Sequence, residues 1–481
     1  MGQPARRFLA NYTILVAGDL GAKFLVFWAT ARMAHVLGTD LFGDLAFAMA
    51  FTAYFSLLVS QGLGTYGTQE VARQPGRVRE YVDSILALRC CASLAAAIIL
   101  AVTIRLLDRS SVITTLTLLY GLTFFSSAVS LNWVFQAMEQ MKLVAAGAVV
   151  TQLAFAVCIL LFLHRPEQIS WIPVFQFGGE LVAVLMLLGC YLRQFGGIRL
   201  RFDFRIWSRL WMESLPIGLA AALGMVLYNF DVVLLGFMKS RADVGQYSAA
   251  YRFINFFSAF ITLYFSNLLP SVSRCRNNPL LLRRISDRSL KYSMLLAVPL
   301  AVGGMFLARP LMVWFFGAQF SDGARALRML FWIIPIAASR VVHRATLLSH
   351  GLQRSYLWII LIAASINTGL NLLLIPGLSF IGAAIASLVG EIALLFAVGR
   401  MVSRQVIRLP LGAHVWRPAV ACLPMSAFLI WSDGIGLFYR IGGGFLIYVI
   451  AAWLMGAIDV KEISRDFRTA EMAPPAEKGS A

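Results

Sequence analysis

Charge is what this chain of 481 residues has least of. Asp, Glu, Lys and Arg together make up 13% of it, where a soluble domain carries about 25%. A water-soluble fold of this length could not cover its surface with so few charges. Acidic residues are the scarcer sign, 23 against 41 Lys and Arg, which leaves a net charge of +18. The five histidines and six cysteines fall into no metal-ligand spacing, and no disulfide framework is implied. Most of the cysteines lie in apolar runs and read as small packing residues. No phosphate-cradling glycine loop, metal cluster or nucleophile triad is present, so neither an enzyme nor a cofactor is expected.

What fills the chain is apolar: 59% of the residues are hydrophobic. The bilayer must be the main solvent. A membrane-crossing helix needs about 20 mostly apolar residues, and about fourteen segments qualify, from 11–36 to 437–456. The expected fold is all-α, a polytopic membrane protein. Arg6 and Arg7 precede a first apolar run too long for the core of a cleaved signal, so it reads as a first span. Lys and Arg concentrate in alternate connections, which places both termini in the cytoplasm. The basic residues thus follow membrane topology, and no nucleic acid is expected as a partner.

The two halves echo each other. Phe42-Gly43-Asp44-Leu45-Ala46-Phe47-Ala48 follows the first span, and Val244-Gly245-Gln246-Tyr247-Ser248-Ala249-Ala250 follows the seventh. Gly179-Glu180-Leu181 in the sixth span is matched by Gly390-Glu391-Ile392 in the twelfth. A duplicated six-helix unit accounts for these offsets. Two pseudo-symmetric six-helix lobes are expected at 1–192 and 215–400, joined by a basic cytoplasmic linker, 193–214. Two additional C-terminal helices at 401–456 and a cytoplasmic tail at 457–481 follow. Because six is even, the repeats are parallel, and such transporters place their site between them. The linker mixes Arg199, Arg201, Arg205 and Arg209 with Trp207 and Trp211, which suits anionic membrane lipids. A second basic connection is expected at 271–289.

A charge at the bilayer centre costs about 2.5–3.5 kcal/mol on insertion scales, so intramembrane charges face protein or water. Asp19 and Lys23 share a face of the first span, either as an intrahelical pair or with Lys23 as a cavity cation tuned by Asp19. Arg340, His343 and Arg344 form a cationic stripe in the tenth span, read as cavity lining. Arg32 and Arg89 are further candidates, against pairing or snorkelling. Asp231, about two-thirds of the way out along the seventh span, and Arg252, which begins the eighth just inside the outer surface, are joined by a short loop and so are placed to pair. That pair is either structural or an outer gate. Glu180 and Glu391, at equivalent positions of the two halves, either bond helix ends or relay a coupling proton or sodium ion.

These residues also carry a resemblance. Asn11, Lys23, Ala31-Arg32, Leu37-Gly38, Phe42-Gly43, Phe47-Ala48, Gly62-Leu63-Gly64 and Glu70-Val71-Ala72-Arg73 resemble the amino-terminal pattern of the polysaccharide-biosynthesis flippases. These belong to the multidrug/oligosaccharidyl-lipid/polysaccharide superfamily. Leu215-Pro216, Asp231, the run Val244 to Arg252, Gly317-Ala318-Gln319-Phe320, Asn367, Asn371, Ile375-Pro376, Gly382 to Ala386 and Glu391 are similar to its second half. The resemblance implies alternating access and a lipid-linked oligosaccharide, flipped from the inner to the outer leaflet of a bacterial cytoplasmic membrane. It implies an undecaprenyl pyrophosphate carrier, gripped by Lys23, Arg32, Arg89, Arg340 and Arg344. A glycan polymerase and chain-length machinery would be its partners. The rival readings are a multidrug cation antiporter or a lipid II flippase of the same superfamily, and more remotely a membrane glycan polymerase or ligase.

Overall fold

The computed structural model describes residues 3–458, with side chains placed from Gly18 onward except at Leu227, Tyr228, Ser266 and Asn267. The expected tail beyond 458 lies outside the described residues. Among these residues the protein is all helix, without a strand. The first half comprises α1 (Gln3–Ser60), α2 (Leu63–Arg73), α3 (Val78–Leu106), α4 (Ser111–Tyr120), α5 (Thr123–Val129), α6 (Asn132–Ala137), α7 (Met141–Phe162) and α8 (Trp171–Phe195). The second comprises α9 (Phe204–Met238), α10 (Arg241–Arg274), α11 (Pro279–Phe316), α12 (Ala324–Leu330), α13 (Ile333–Ser349), α14 (Gln353–Gln405), α15 (Leu411–Trp431) and α16 (Leu437–Leu454). Helices are the natural answer to this composition, because in hydrocarbon each backbone N–H and C=O must be satisfied within its own segment.

Among the described residues eleven helices are long and apolar enough to cross a membrane, or twelve if the bent pair within α9 is one span. The expected fourteen differs from this count because α1 and α14 are each merged across one non-helical residue, Gly38 (φ 72°) and Ser379 (φ 50°). At Gly38 the left-handed φ is one that only a residue without Cβ adopts freely. The fourth expected span is broken into α4, α5 and α6, with interruptions at Gly121–Leu122 and Ser130–Leu131. Likewise α12 and α13 divide the tenth. The basic connection expected at 271–289 is mostly helical, since α10 runs to Arg274 and α11 starts at Pro279. In the linker, 193–195 end α8, 196–203 is non-helical and the remainder is the first turns of α9.

Two compact units emerge from the packing. One comprises Met1–Phe257, Met312–Leu330 and Leu357–Ala393; the other comprises Ser258–Leu311, Phe331–Tyr356 and Leu394–Ala481. A core of the first gathers Leu63, Ile85, Trp133, Phe135 and Tyr191. In the second, Leu268, Val272, Leu290, Val342 and Ala345 pack together. Lipid is as apolar as these side chains, so close packing and polar bonds hold each unit rather than expulsion of water.

Candidate functional site

The intramembrane charges fall into groups with different partners. Lys23 and Asp19 form the expected pair one turn apart on α1, 2.5 Å between Nζ and Oδ2, with both side chains half-buried. Arg32, further along the same helix, is exposed. Arg89 is 7% exposed on α3. Its Nη1 donates to the Ser130 carbonyl at 3.4 Å, at the interruption between α5 and α6. Its Nη2 lies 2.8 Å from where Gly64 would carry a Cβ, so the missing side chain of Gly64 makes its space. Arg89 thus works at a helix break inside the first unit.

Asp231 is buried on α9 and collects three donors. The Tyr247 hydroxyl donates to Oδ2, the Ser387 hydroxyl donates to the same oxygen at 3.0 Å, and the Val232 N–H donates to Oδ1 at 2.8 Å. The expected pair of Asp231 with Arg252 is not formed; Arg252 instead donates to the Met49 sulfur at 3.8 Å. The reason is depth. Asp231 is about two turns before the end of α9, and Tyr247 is nearly two turns into α10, whereas Arg252 lies over a turn further in. One turn beyond Ser387 on α14 stands Glu391, also buried. Beside it, Gly390 packs on Asn367, whose Oδ1 accepts from Asn371 Nδ2 at 3.0 Å. Asp231, Tyr247, Ser387, Glu391, Asn367 and Asn371 therefore give the first unit a set of buried polar groups dominated by oxygen acceptors. Ser387 was not singled out by sequence, and Tyr247 stood there only as part of the repeated motif, because hydroxyls on apolar helices are ordinary.

Glu180 on α8, the symmetry mate of Glu391, is held differently. It accepts from the Ser126 hydroxyl on α5 and from Gln176 Nε2, one turn earlier, at 3.4 Å. Among the described residues no cluster of three or more His, Cys, Asp and Glu is placed to hold a metal.

At the start of α10, Arg241 forms a two-pronged ion pair with Asp44, Nε to Oδ1 at 2.7 Å and Nη2 to Oδ2. Asp44 is 1% exposed, a buried carboxylate answered by a fork of matching geometry. Gln246, the repeat counterpart of Asp44, bonds the 319–323 segment: its Nε2 donates to the Gln319 carbonyl and its Oε1 accepts from the Gly323 N–H, both at 2.7 Å. The sequence signal was the repeated motif itself, but nothing in it identified the partners.

The cationic stripe lies on α13 in the second unit. Arg340 is 7% exposed and His343 is buried, its Nδ1 2.9 Å from the Ser339 carbonyl. Arg344 is half-buried, and its guanidinium carbon stands over two rings, 4.7 Å from the Phe265 centroid and 5.2 Å from that of Tyr356.

Comparison with known proteins places this arrangement. The sequence profile of the family described as "Polysaccharide biosynthesis protein" matches residues 8–276. The chain is 20% identical over 398 residues to a protein named as an O-antigen transporter of Escherichia coli (strain K12), covering 80% of this chain and 94% of that one. It shares its fold with a lipid II flippase MurJ in an inward closed conformation, at TM-score 0.78 and 14% identity over 94% of this chain and 99% of that one. An inward-facing multidrug resistance MATE family transporter of the MOP superfamily follows at TM-score 0.62 and 14% identity, over 81% and 98%. At such identities the two structures speak for the fold alone. With more than half of its length matched by the family profile and its helices arranged as in these transporters, the chain belongs to the polysaccharide biosynthesis protein family, on the fold of the MOP superfamily.

Proposed function

We propose that the protein flips an undecaprenyl-pyrophosphate-linked oligosaccharide from the inner to the outer leaflet of a bacterial cytoplasmic membrane, by alternating access, for polysaccharide export. The family, the O-antigen transporter among its relatives and the multi-pass helical fold support a flippase for lipid-linked oligosaccharides rather than an enzyme; the carrier, the direction and the site are the finer part of the proposal. The observation that carries it is the α13 stripe, where Arg340 and Arg344 stand one turn apart within an apolar helix. Cations kept within a membrane are costly, face the protein interior or a water-filled cavity, and mark substrate or ion pathways. Diphosphate oxygens match a guanidinium edge with paired hydrogen bonds. A polar headgroup crossing bare hydrocarbon would meet a prohibitive barrier, which a cationic lining lowers while the polyprenyl tail stays in lipid.

In this reading Arg340 and Arg344 hold the diphosphate, and Lys23, Arg32 and Arg89 are the further cationic positions assigned to anionic groups of the substrate. Asp231, with its hydroxyl donors, and Glu391 are assigned to ion coupling by a proton or sodium ion; Asp19, Glu180 and Arg252 support the same cycle. Residues 1–192 and 215–400 act as the two lobes, with both termini cytoplasmic.

The test is transfer of a fluorescent undecaprenyl-diphosphate oligosaccharide across proteoliposome membranes by purified protein. Wild type should move it, and Arg340→Ala should slow it by roughly tenfold at unchanged reconstitution. Coupled efflux of a cationic dye with no glycolipid transfer would establish the antiporter reading instead, and transfer of lipid II alone the lipid II reading.

A further inference from the structure

An arginine inside a membrane protein is ordinarily answered by a carboxylate, which occupies the N–H edge of the guanidinium. Arg344 is answered otherwise. Its guanidinium stands over the faces of Phe265, from α10, and Tyr356, from the first turn of α14. Its Nε is buried and has no hydrogen-bond partner among the described residues, and no ion pair involves it. A guanidinium attracts an aromatic ring over its flat face and donates its five N–H bonds in the plane. Rings therefore stabilise the charge without consuming its donors.

We propose that Phe265 and Tyr356 are positioning residues that hold the Arg344 guanidinium by its faces and leave its N–H edge to phosphate oxygens of a polyprenyl diphosphate headgroup. The inference rests on the assignment of Arg344 to the substrate and adds what aims it.

Both rings are themselves fixed. Phe265 packs against the cluster of Leu268, Val272, Val342 and Ala345. Val342 and Ala345, which flank Arg344 on α13, belong to that cluster, so the ring and the cation it covers border the same packed group. Tyr356 is buried, and its backbone N–H donates to the Leu352 carbonyl as α14 begins. An arginine side chain has several rotatable bonds, and ordering it on binding weakens affinity. Rings set in advance remove that cost before the ligand arrives. Arg340, one turn away, supplies a second cation on the same helix.

The experiment uses the full-length protein in detergent, with geranylgeranyl diphosphate as the probe and inorganic pyrophosphate as a tail-free control. Binding is measured by titration calorimetry, and thermal stability by scanning fluorimetry on the same samples. Arg344→Ala should weaken the diphosphate lipid by about tenfold or more. Phe265→Leu and Tyr356→Leu should each weaken it by roughly three- to tenfold, with inorganic pyrophosphate weakened in parallel. Phe265→Tyr and Tyr356→Phe, which keep the rings, should bind within about twofold of wild type. A merely structural pair of rings would lower the melting temperature and leave affinity alone. If the leucine variants bind as wild type while Arg344→Ala is weakened, the clamp is wrong and the substrate assignment stands. If Arg344→Ala binds as wild type, both fall. Should a leucine variant not purify, Phe265→Met and Tyr356→Met, which keep the volume without the ring, are read by the same criteria.

Discussion

Gly43 and Gly245 lie against each other, and neither has room for a β-carbon. A Cβ on Gly43 would stand 2.0 Å from the Arg241 carbonyl oxygen and 2.9 Å from the Gly245 nitrogen. One on Gly245 would stand 2.1 Å from the Thr39 carbonyl oxygen and 3.3 Å from the Gly43 nitrogen. The contact is reciprocal: each glycine meets its repeat mate and the carbonyl four residues before that mate. Small residues that let helix backbones touch are how membrane helices associate without a hydrophobic driving force. The glycines of the repeated motif thus hold α1 and α10 together.

Gly43→Val and Gly245→Val are therefore expected to destabilise the protein by about 1–3 kcal/mol or more, because the clashing atoms are backbone that cannot move aside. Gly189→Ala, where nothing lies within 4 Å of the added carbon, should be neutral. Melting temperatures of purified variants decide it; a valine variant as stable as Gly189→Ala would show that the seam opens freely.

Asp44 and Arg241 make a pair whose halves are unequally buried, 1% exposed for the Asp44 side chain and 45% for Arg241. Removing Arg241 strands a buried carboxylate, whereas removing Asp44 leaves a cation that water reaches. Arg241→Ala should cost roughly 3 kcal/mol, Asp44→Ala clearly less, and the double variant less than Arg241→Ala alone. Equal losses from the two single variants, measured by thermal unfolding in detergent, would contradict this asymmetry.

For ion coupling, Asp231→Asn keeps the shape of the side chain and removes its charge. It should abolish or shift the dependence of glycolipid transfer on pH or sodium, while Glu180→Gln, whose partners Ser126 and Gln176 remain available, should change that dependence little. Tyr247→Phe removes one donor to Asp231 and should have an intermediate effect. Transport measured against pH and sodium in proteoliposomes tests all three, and an unchanged ion dependence in Asp231→Asn would make Asp231 structural.

Reporter fusions after Arg73, Arg205 and Arg284 should read cytoplasm, and those after Asp40, Glu167 and Gly377 the outside. Inversion at two or more of these sites would overturn the proposed orientation.

How far the sequence reached depended on distance along the chain. The Asp19–Lys23 pair was legible because one helical turn brings the two together whatever the rest of the protein does. Asp231 was legible as a buried acid, but its assignment to Arg252 was wrong: nearness in sequence does not give depth, and depth matched it to Tyr247 and Ser387. Asp44 stood inside a recognised motif, and its partner Arg241 could not be named from it. Phe265 and Tyr356 carried no signal at all, being two aromatics among many on apolar helices.

The sequence by itself determined that the chain folds in a bilayer, as helices, with cations kept where lipid should exclude them. Transfer into lipid is a sum over neighbouring residues, so composition and local runs suffice to read it. Which carboxylate meets which donor, where a helix breaks, and which rings cover Arg344 were decided only by tertiary structure. Those outcomes depend on the depth and rotation of helices brought together from far apart in the chain, and packing sets both.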